Sequence, residues 1–238
     1  VMVSVPTGVT STERRAVVEA AIKAGAKSAY VVKESVLAAI GAGIPIQEPR
    51  GHMVVDLGAG TADVAVISLG GIVASTSIKV SGDKLDHAIA DYIKKTFNLA
   101  IGDKTAEEVK IAIGSAVPME EELVAHVRGR DFITGLPRQA EIKTNDIVKA
   151  MGKELREIIK AIRDVLQETP PELASDIIDS GITLTGGTAL LRNFPELILR
   201  RTGVKAQVAD DALYCVARGT GIALSHLDTY KKAVIAKR

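Results

Sequence analysis

The residues best arranged to do chemistry lie in Val54-Val55-Asp56-Leu57-Gly58-Ala59-Gly60-Thr61-Ala62-Asp63-Val64-Ala65-Val66. There a glycine turn joins two apolar runs, with an acid at one end and a hydroxyl at the other. Gly58 and Gly60 can take positive φ and let backbone N–H groups approach an anion that bulkier residues would obstruct. A dinucleotide fingerprint needs a helix after its glycines. Here Val64, Ala65, Val66 and Ile67 instead continue as a β-branched run up to Gly70-Gly71, so the element reads as strand-turn-strand. In that hairpin Asp56 can hold a hydrated divalent cation while Gly60 and Thr61 face terminal phosphates. The plainer alternative is an ordinary hairpin with a glycine turn.

A second glycine signal stands in Ile182-Thr183-Leu184-Thr185-Gly186-Gly187-Thr188-Ala189-Leu190-Leu191. An apolar strand breaks at paired glycines and a helix-forming run begins, which predicts open backbone amides at a helix N-terminus. A plain strand-to-helix turn is the alternative. Together the two loops suggest two similar nucleotide-facing layers.

The elements that must position these loops follow from periodicity. A strand over about 1–5 precedes a helix over 11–24, with Val17, Val18, Ala21 and Ile22 as its apolar face, Ser11 as N-cap and Gly25 as stop. A strand over 29–32 leads into a helix from Glu34 to Ala42, and Pro45 and Pro49 mark a linker. Strands over 52–56, 62–68 and 71–79 form a meander. Helices over 82–97 and 104–113 follow, then strands over 123–128 and 138–143. Leu155, Ile158, Ile159, Ile162, Val165 and Leu166 recur at helical spacing and predict a long helix with one core-facing stripe. Pro170-Pro171 ends it or starts the next.

Composition sets limits. The 238 residues are 47% hydrophobic, enough for a substantial core, and with 3% aromatics and no Trp that core must be built from Val, Ile, Leu and Ala. A formal net charge of +1 with no basic, aromatic-interleaved stripe argues against nucleic acid as a partner. One cysteine, Cys215, excludes an intramolecular disulfide framework and suits a reducing compartment.

Along nearly the whole chain the sequence resembles the actin-fold ATPases and, within them, the bacterial MreB family. The matches include Val5-Pro6-Thr7-Gly8, Ala38-Ala39-Ile40-Gly41-Ala42-Gly43, Met53 to Ser68 and Gly82-Asp83-Lys84 with Asp86. They continue through Thr105-Ala106-Glu107-Glu108-Val109-Lys110-Ile111, Arg128-Gly129-Arg130-Asp131 and Thr134-Gly135-Leu136-Pro137-Arg138. Glu168-Thr169-Pro170-Pro171-Glu172-Leu173, Thr185-Gly186-Gly187 and Cys215-Val216-Ala217-Arg218-Gly219-Thr220-Gly221 complete the series. The resemblance implies an α/β actin-like ATPase fold, with ribonuclease H-like mixed sheets flanked by helices. Family members open with a further Asp-x-Gly-Thr phosphate loop, and nothing before Gly41 has that form. The chain is therefore expected to be an N-terminally truncated piece, without that loop and without the small subdomain that carries membrane-inserting elements in the family. Its expected parts are a remnant of the first large subdomain (1–50), the second large subdomain (51–81 and 144–226), a small inserted subdomain (82–143) and a C-terminal tail (227–238).

The resemblance also implies roles. Glu34 corresponds to the glutamate that orients the attacking water and Thr61 to the hydroxyl on that water's other side; Asp56 corresponds to the acid that holds Mg2+ through water. The cofactor set is ATP/ADP with Mg2+, held by Asp56, Gly58, Ala59, Gly60, Thr61, Gly82, Asp83, Glu107, Glu108, Lys110, Gly186, Gly187, Thr188 and Ala189. Glu107 and Lys110 share a helical face over the adenosine, the acid toward the ribose and the lysine stem over the base. By residue type alone Glu34 also fits a helix-dipole partner, Asp83 an N-cap, and Glu107 with Lys110 a solvated ion pair. Four positions depart from the family pattern. Ser35 replaces a Pro, in Lys33-Glu34-Ser35 for Glu-Glu-Pro, and Ala59, Ala62 and Thr188 stand for Gly, Thr and Gly. A Cβ at 59 or 188 costs about 1 kcal/mol if φ there must be positive.

The implied function is an ATP-hydrolysing subunit of head-to-tail filaments, cytoplasmic and peripheral to the inner membrane, acting with inner-membrane cell-wall elongation proteins. Contact with an anionic membrane would come through the missing N-terminal part. Without its first phosphate loop such a piece is expected to hydrolyse ATP weakly or not at all. A chaperone- or kinase-type ATPase of the same superfold and a non-hydrolysing binding protein are the alternatives. The basic residues Lys231, Lys232, Lys237 and Arg238 read as a solvated tail or as a further contact for an anionic surface.

Overall fold

In the computed structural model, which describes residues 1–237, the short β-branched runs near the N-terminus form strands β1 (Met2–Val5) and β2 (Tyr30–Lys33), paired in parallel across helix α1 (Ser11–Lys23). The helix is capped one residue earlier than expected. Thr10 Oγ1 accepts from Glu13 N at 3.2 Å and Glu13 Oε2 accepts from Thr10 N at 2.9 Å, a reciprocal capping box that Ser11 cannot make. Strand β2 passes without a loop into helix α2 (Glu34–Gly41), which is buried along almost its entire length.

The meander expected from sequence is present as β3 (His52–Leu57), β4 (Ala62–Ser68) and β5 (Gly71–Ile78). Helix α3 (Gly82–Phe97), the short β6 (Leu99–Ala100) and α4 (Asp103–Ile113) lead to the hairpin β7 (Val124–Asp131) and β8 (Pro137–Lys143). Helix α5 (Thr144–Glu168) follows, with Leu155, Ile158, Ile159, Ile162 and Val165 buried on the predicted stripe and Leu166 at its edge. Pro171 opens α6 (Pro171–Ser180), where its missing N–H is harmless. Then come β9 (Ile182–Thr185), α7 (Phe194–Thr202), β10 (Ala206–Val208), α8 (Cys215–Ser225) and β11 (Val234–Lys237).

Three sheets result, in the orders β1-β2-β11, β10-β9-β3-β4-β5 and β6-β7-β8. In the five-stranded sheet β9 runs parallel to β3 while β4 and β5 are antiparallel neighbours. Strands β3 and β4 are covered on both faces, as their nearly unbroken apolar runs require. Met53, Val55, Leu57, Val64 and Val66 pack toward α3 and α5, while Val54, Ala65 and Ile67 pack toward α2.

The C-terminal segment is not a solvated tail. Lys231 and Lys232 are exposed on a single 3-10 turn, Ala233 is buried, and β11 adds antiparallel to β2. Pairing satisfies the backbone groups that β2 would otherwise expose as an edge. Arg238 lies outside the described residues.

Helices α2 and α8 cross at two glycines. A Cβ on Gly41 would lie 1.8 Å from Cys215 O, and one on Gly219 would lie 1.9 Å from Leu37 O. Backbone cannot yield there as a side-chain tip can. Gly219→Ala is therefore expected to destabilise the fold by about 2–3 kcal/mol, read as a lower urea midpoint; an unchanged midpoint would show that the crossing can open without cost.

Candidate functional site

The β3–β4 turn, the start of α3, one face of α4 and the loop after β9 converge on a cleft of about 780 Å³, within the range of small-molecule sites. Of the residues expected from sequence, Glu34, Asp56, Gly58, Ala59, Gly82, Asp83, Glu107, Lys110, Gly186, Gly187 and Thr188 line it. Gly60 and Thr61 sit on the turn outside this lining, Ala189 is buried beneath it, and Glu108 is exposed on α4 away from it.

The glycines act differently from the expectation. Neither Gly58 nor Gly60 has positive φ, and the Gly58 N–H is engaged within the turn by Thr61 O at 3.0 Å. A Cβ on Gly60 would meet nothing within 4 Å, so the consequence of glycine there is open space. Positive φ falls instead on Gly186 (+85°), where a Cβ would lie 2.3 Å from Leu57 O. The second loop does not open a full helix. Gly187–Leu190 is one 3-10 turn, and the next α-helix begins at Phe194 because Asn193, in the left-handed region, interrupts the path. Ala59 and Thr188 are absent from the positive-φ residues, so their side chains carry no such strain.

The two loops are tied together through one carbonyl. Gly58 O accepts from Ser81 Oγ at 2.6 Å and from Thr188 Oγ1 at 2.8 Å, while Asp83 N donates to Ala59 O at 2.9 Å. Asp83 therefore takes part in α3's first turn by its backbone, and its side chain makes no cap.

Lys110 does not pair with Glu107. Its Nζ lies 2.8 Å from Asp86 Oδ1, both side chains being mostly buried. Burial pushes the Asp86 carboxyl up from its ordinary range, against the hydrogen bond and charge of Lys110. No local spacing connects residues 86 and 110, so this pair was invisible in the sequence. Also unforeseen are Arg192, whose Nη1 donates to Gly114 O at 2.9 Å, and an apolar wall of Ile111, Leu190 and Leu213, each more than half exposed. Their sequence neighbours, such as Ala189-Leu190-Leu191 and Ile111-Ala112-Ile113, are apolar too, so nothing in the sequence marked these aliphatics as exposed.

At the cleft's inner end stand the acids. Asp56 is 7% exposed and its Oδ1 accepts from Thr185 Oγ1 at 2.7 Å. Burial pushes its pKa to about 6; the Thr185 bond opposes this and the Asp63 charge adds to it. Glu34, at the first turn of α2, is likewise raised, by burial first and then by Asp63 and Asp56, with the Ser4 hydroxyl at 3.3 Å opposing. Glu34 thus holds a proton more tightly than an ordinary glutamate.

Because the folded state holds the Asp56 proton more tightly than the unfolded chain, its favourable contribution is complete below the ordinary aspartate range and lost as pH rises through about 6. Asp56→Asn is expected to raise stability at pH 7 by up to about 3 kcal/mol, the gain shrinking toward pH 4. Chemical denaturation at both pH values checks this, and an equal effect at both would rule out the raised proton affinity.

Residues 1–232 match the family model described as MreB/Mbl protein. The chain is 47% identical over 230 residues to the cell shape-determining protein MreB of Escherichia coli strain K12, covering 97% of this chain and 66% of that one. It therefore spans slightly less than two thirds of that relative's length. The crystal structure of MreB5 of Spiroplasma citri bound to ADP superposes with a TM-score of 0.92 at 40% identity, covering 97% of this chain and 70% of that chain; the AMPPNP-bound structure of the same protein gives the same score. A MamK double helical filament, at 22% identity and a TM-score of 0.77 over 94% of this chain and 68% of that chain, shares the fold. The mixed sheets with helices on their faces are the actin-like fold, and the chain belongs to the MreB/Mbl family.

Proposed function

We propose that the protein is an ATP-binding and ATP-hydrolysing actin-like subunit of membrane-associated filaments that direct cell-wall synthesis and rod shape. The observation that carries the reading is the convergence on one cleft of both glycine loops, an apolar wall and a carboxylate of raised proton affinity. The ADP and AMPPNP held by the MreB5 relative support a nucleotide as its occupant.

In this reading the open backbone around Gly60 and Gly187 receives the phosphates, with Thr61 beside the attacking water. Glu107 accepts from the ribose, and Ile111, Leu190 and Leu213 flank the base. Lys110, fixed by Asp86, packs its aliphatic stem beside the base. Glu34 orients and deprotonates the attacking water. Mg2+ would neutralise phosphate charge when bound. The donors fit such an ion only in part: among the described residues no cluster of three acids, histidines or cysteines could hold a metal, so Asp56 would act through water while phosphates and solvent supply the remaining ligands.

The three sheets support a division into a first large subdomain containing residues 1–50, a second containing 51–81 and 144–226, and a small insertion at 82–143, with β11 joining the first. Subunits would stack head to tail, a heterologous contact that extends without closing. No helix among the described residues is long and apolar enough to cross a membrane; the proposed location is cytoplasmic and peripheral to the inner membrane, with cell-wall elongation proteins and an anionic membrane surface as partners.

Gly60→Val adds its Cβ into open space and is expected to weaken ATP binding roughly tenfold by calorimetry. Unaltered affinity would remove the hairpin from the site. Glu34→Ala is expected to slow single-turnover hydrolysis about 100-fold with binding retained, and an unaffected rate would reject its role. In sedimentation on anionic vesicles, ATP should promote pelleting of the protein. A persistent monomer would defeat the filament reading.

A further inference from the structure

We propose that Asp63 is a positioning residue for Glu34, fastening the start of α2 to strand β4 through Thr7 and Ser35 with its carboxylate on the sheet face that α2 covers. The proposal rests on the hydrolytic reading above and adds a residue that lies outside the cleft lining.

Asp63 is 1% exposed, and its Oδ1 accepts from Thr7 N at 2.6 Å. Thr7 Oγ1 in turn donates to Ser35 Oγ at 2.9 Å. Ser35 is fully buried and follows Glu34 in the first turn of α2. Two short hydrogen bonds thus lead from β4, through the loop after β1, to the residue beside the proposed base. A side chain that only held Thr7 could be neutral. Asp63 instead leaves Oδ2 buried without a hydrogen-bond partner, an arrangement costly to the fold.

The charge has an addressee. After burial, the causes that raise the Glu34 proton affinity are Asp63 from β4 and then Asp56 from β3, and the Ser4 hydroxyl from β1 opposes them. Asp63 and Asp56 are directly opposite in the β3–β4 ladder, so both project toward α2. A carboxylate that must take a proton from water near neutral pH gains from a neighbour that disfavours its ionised form.

Asp63→Asn keeps shape and an acceptor for Thr7 while deleting the charge. Two readouts apply: the carbon-13 titration of the Glu34 side-chain carboxyl, and single-turnover ATP hydrolysis across pH. The Glu34 midpoint is expected to move to lower pH, the acidic limb of the rate profile to move with it, and nucleotide affinity to stay constant. Ser35→Ala, which breaks the link but leaves the charge, should hold the midpoint near wild type and lower the rate about tenfold. An unmoved Glu34 midpoint in Asp63→Asn overturns the proposal whether or not hydrolysis is seen. A wild-type protein that binds ATP without hydrolysing it would instead overturn the ATPase reading, leaving the titration to judge Asp63.

Discussion

The register of β3 against β4 is the constraint from which the rest of the site follows. It sets Asp56 opposite Asp63 and Val55 opposite Val64. Since side chains alternate across a strand, both acids fall on the face covered by α2 while Met53, Val55, Leu57, Val64 and Val66 fall on the face covered by α5. A slip of one residue would drive carboxylates into the α5 core and leucine and valine toward the cleft. Opposed like charges destabilise a ladder, so each acid needs its own compensation. Thr185 provides it for Asp56 from the parallel neighbour β9, and the Thr7 amide provides it for Asp63 from the loop after β1. The acids therefore connect three parts of the molecule that are distant in sequence.

That connection works because α2 can lie close. The Gly41 and Gly219 crossing lets α8 press on α2 with backbone against backbone, and Arg218 Nε donates to Gly41 O at 2.6 Å across the same contact. Helix α2 then covers Val54, Ala65 and Ile67 and delivers Glu34 to the end of the sheet where Asp56 emerges. Burial of apolar surface thus fixes a carboxylate in a place where solvent would otherwise lower its proton affinity.

Much of what depended on local periodicity was legible in the sequence, although the run after Gly186-Gly187 forms a single 3-10 turn rather than the helix it suggests. Alternation and β-branching identified the meander, helical spacing identified the α5 stripe, and glycines between apolar runs identified the two loops. Contacts between residues far apart in the chain were not legible: Lys110 with Asp86, Thr7 with Asp63, and β11 with β2. None has a spacing rule, and β11 is a four-residue strand flanked by lysines whose pairing is decided by the edge it covers. The capping error has a different origin. Thr10 and Ser11 are chemically equivalent as caps, and only the distance to Glu13 selects between them.

Two of the four departures from the family pattern, Ser35 and Thr188, exchange backbone restraint for side-chain hydrogen bonds. Where the resemblance places a rigid proline, Ser35 accepts from Thr7 and secures the same helix start from outside its backbone. Where it places a glycine, Thr188 has a φ that tolerates its Cβ and uses its hydroxyl to join the second loop to Gly58 O. Ala59 is exposed at the turn and points no strain into it. At Ser35 and Thr188 the means of holding the position changes from covalent restriction to a side-chain hydrogen bond whose partner lies in another element. Each bond stays beside one sheet, Thr7 with Ser35 at the ends of β1 and β2 and Thr188 with Gly58 between β9 and the β3–β4 turn, so each half of the site is secured locally.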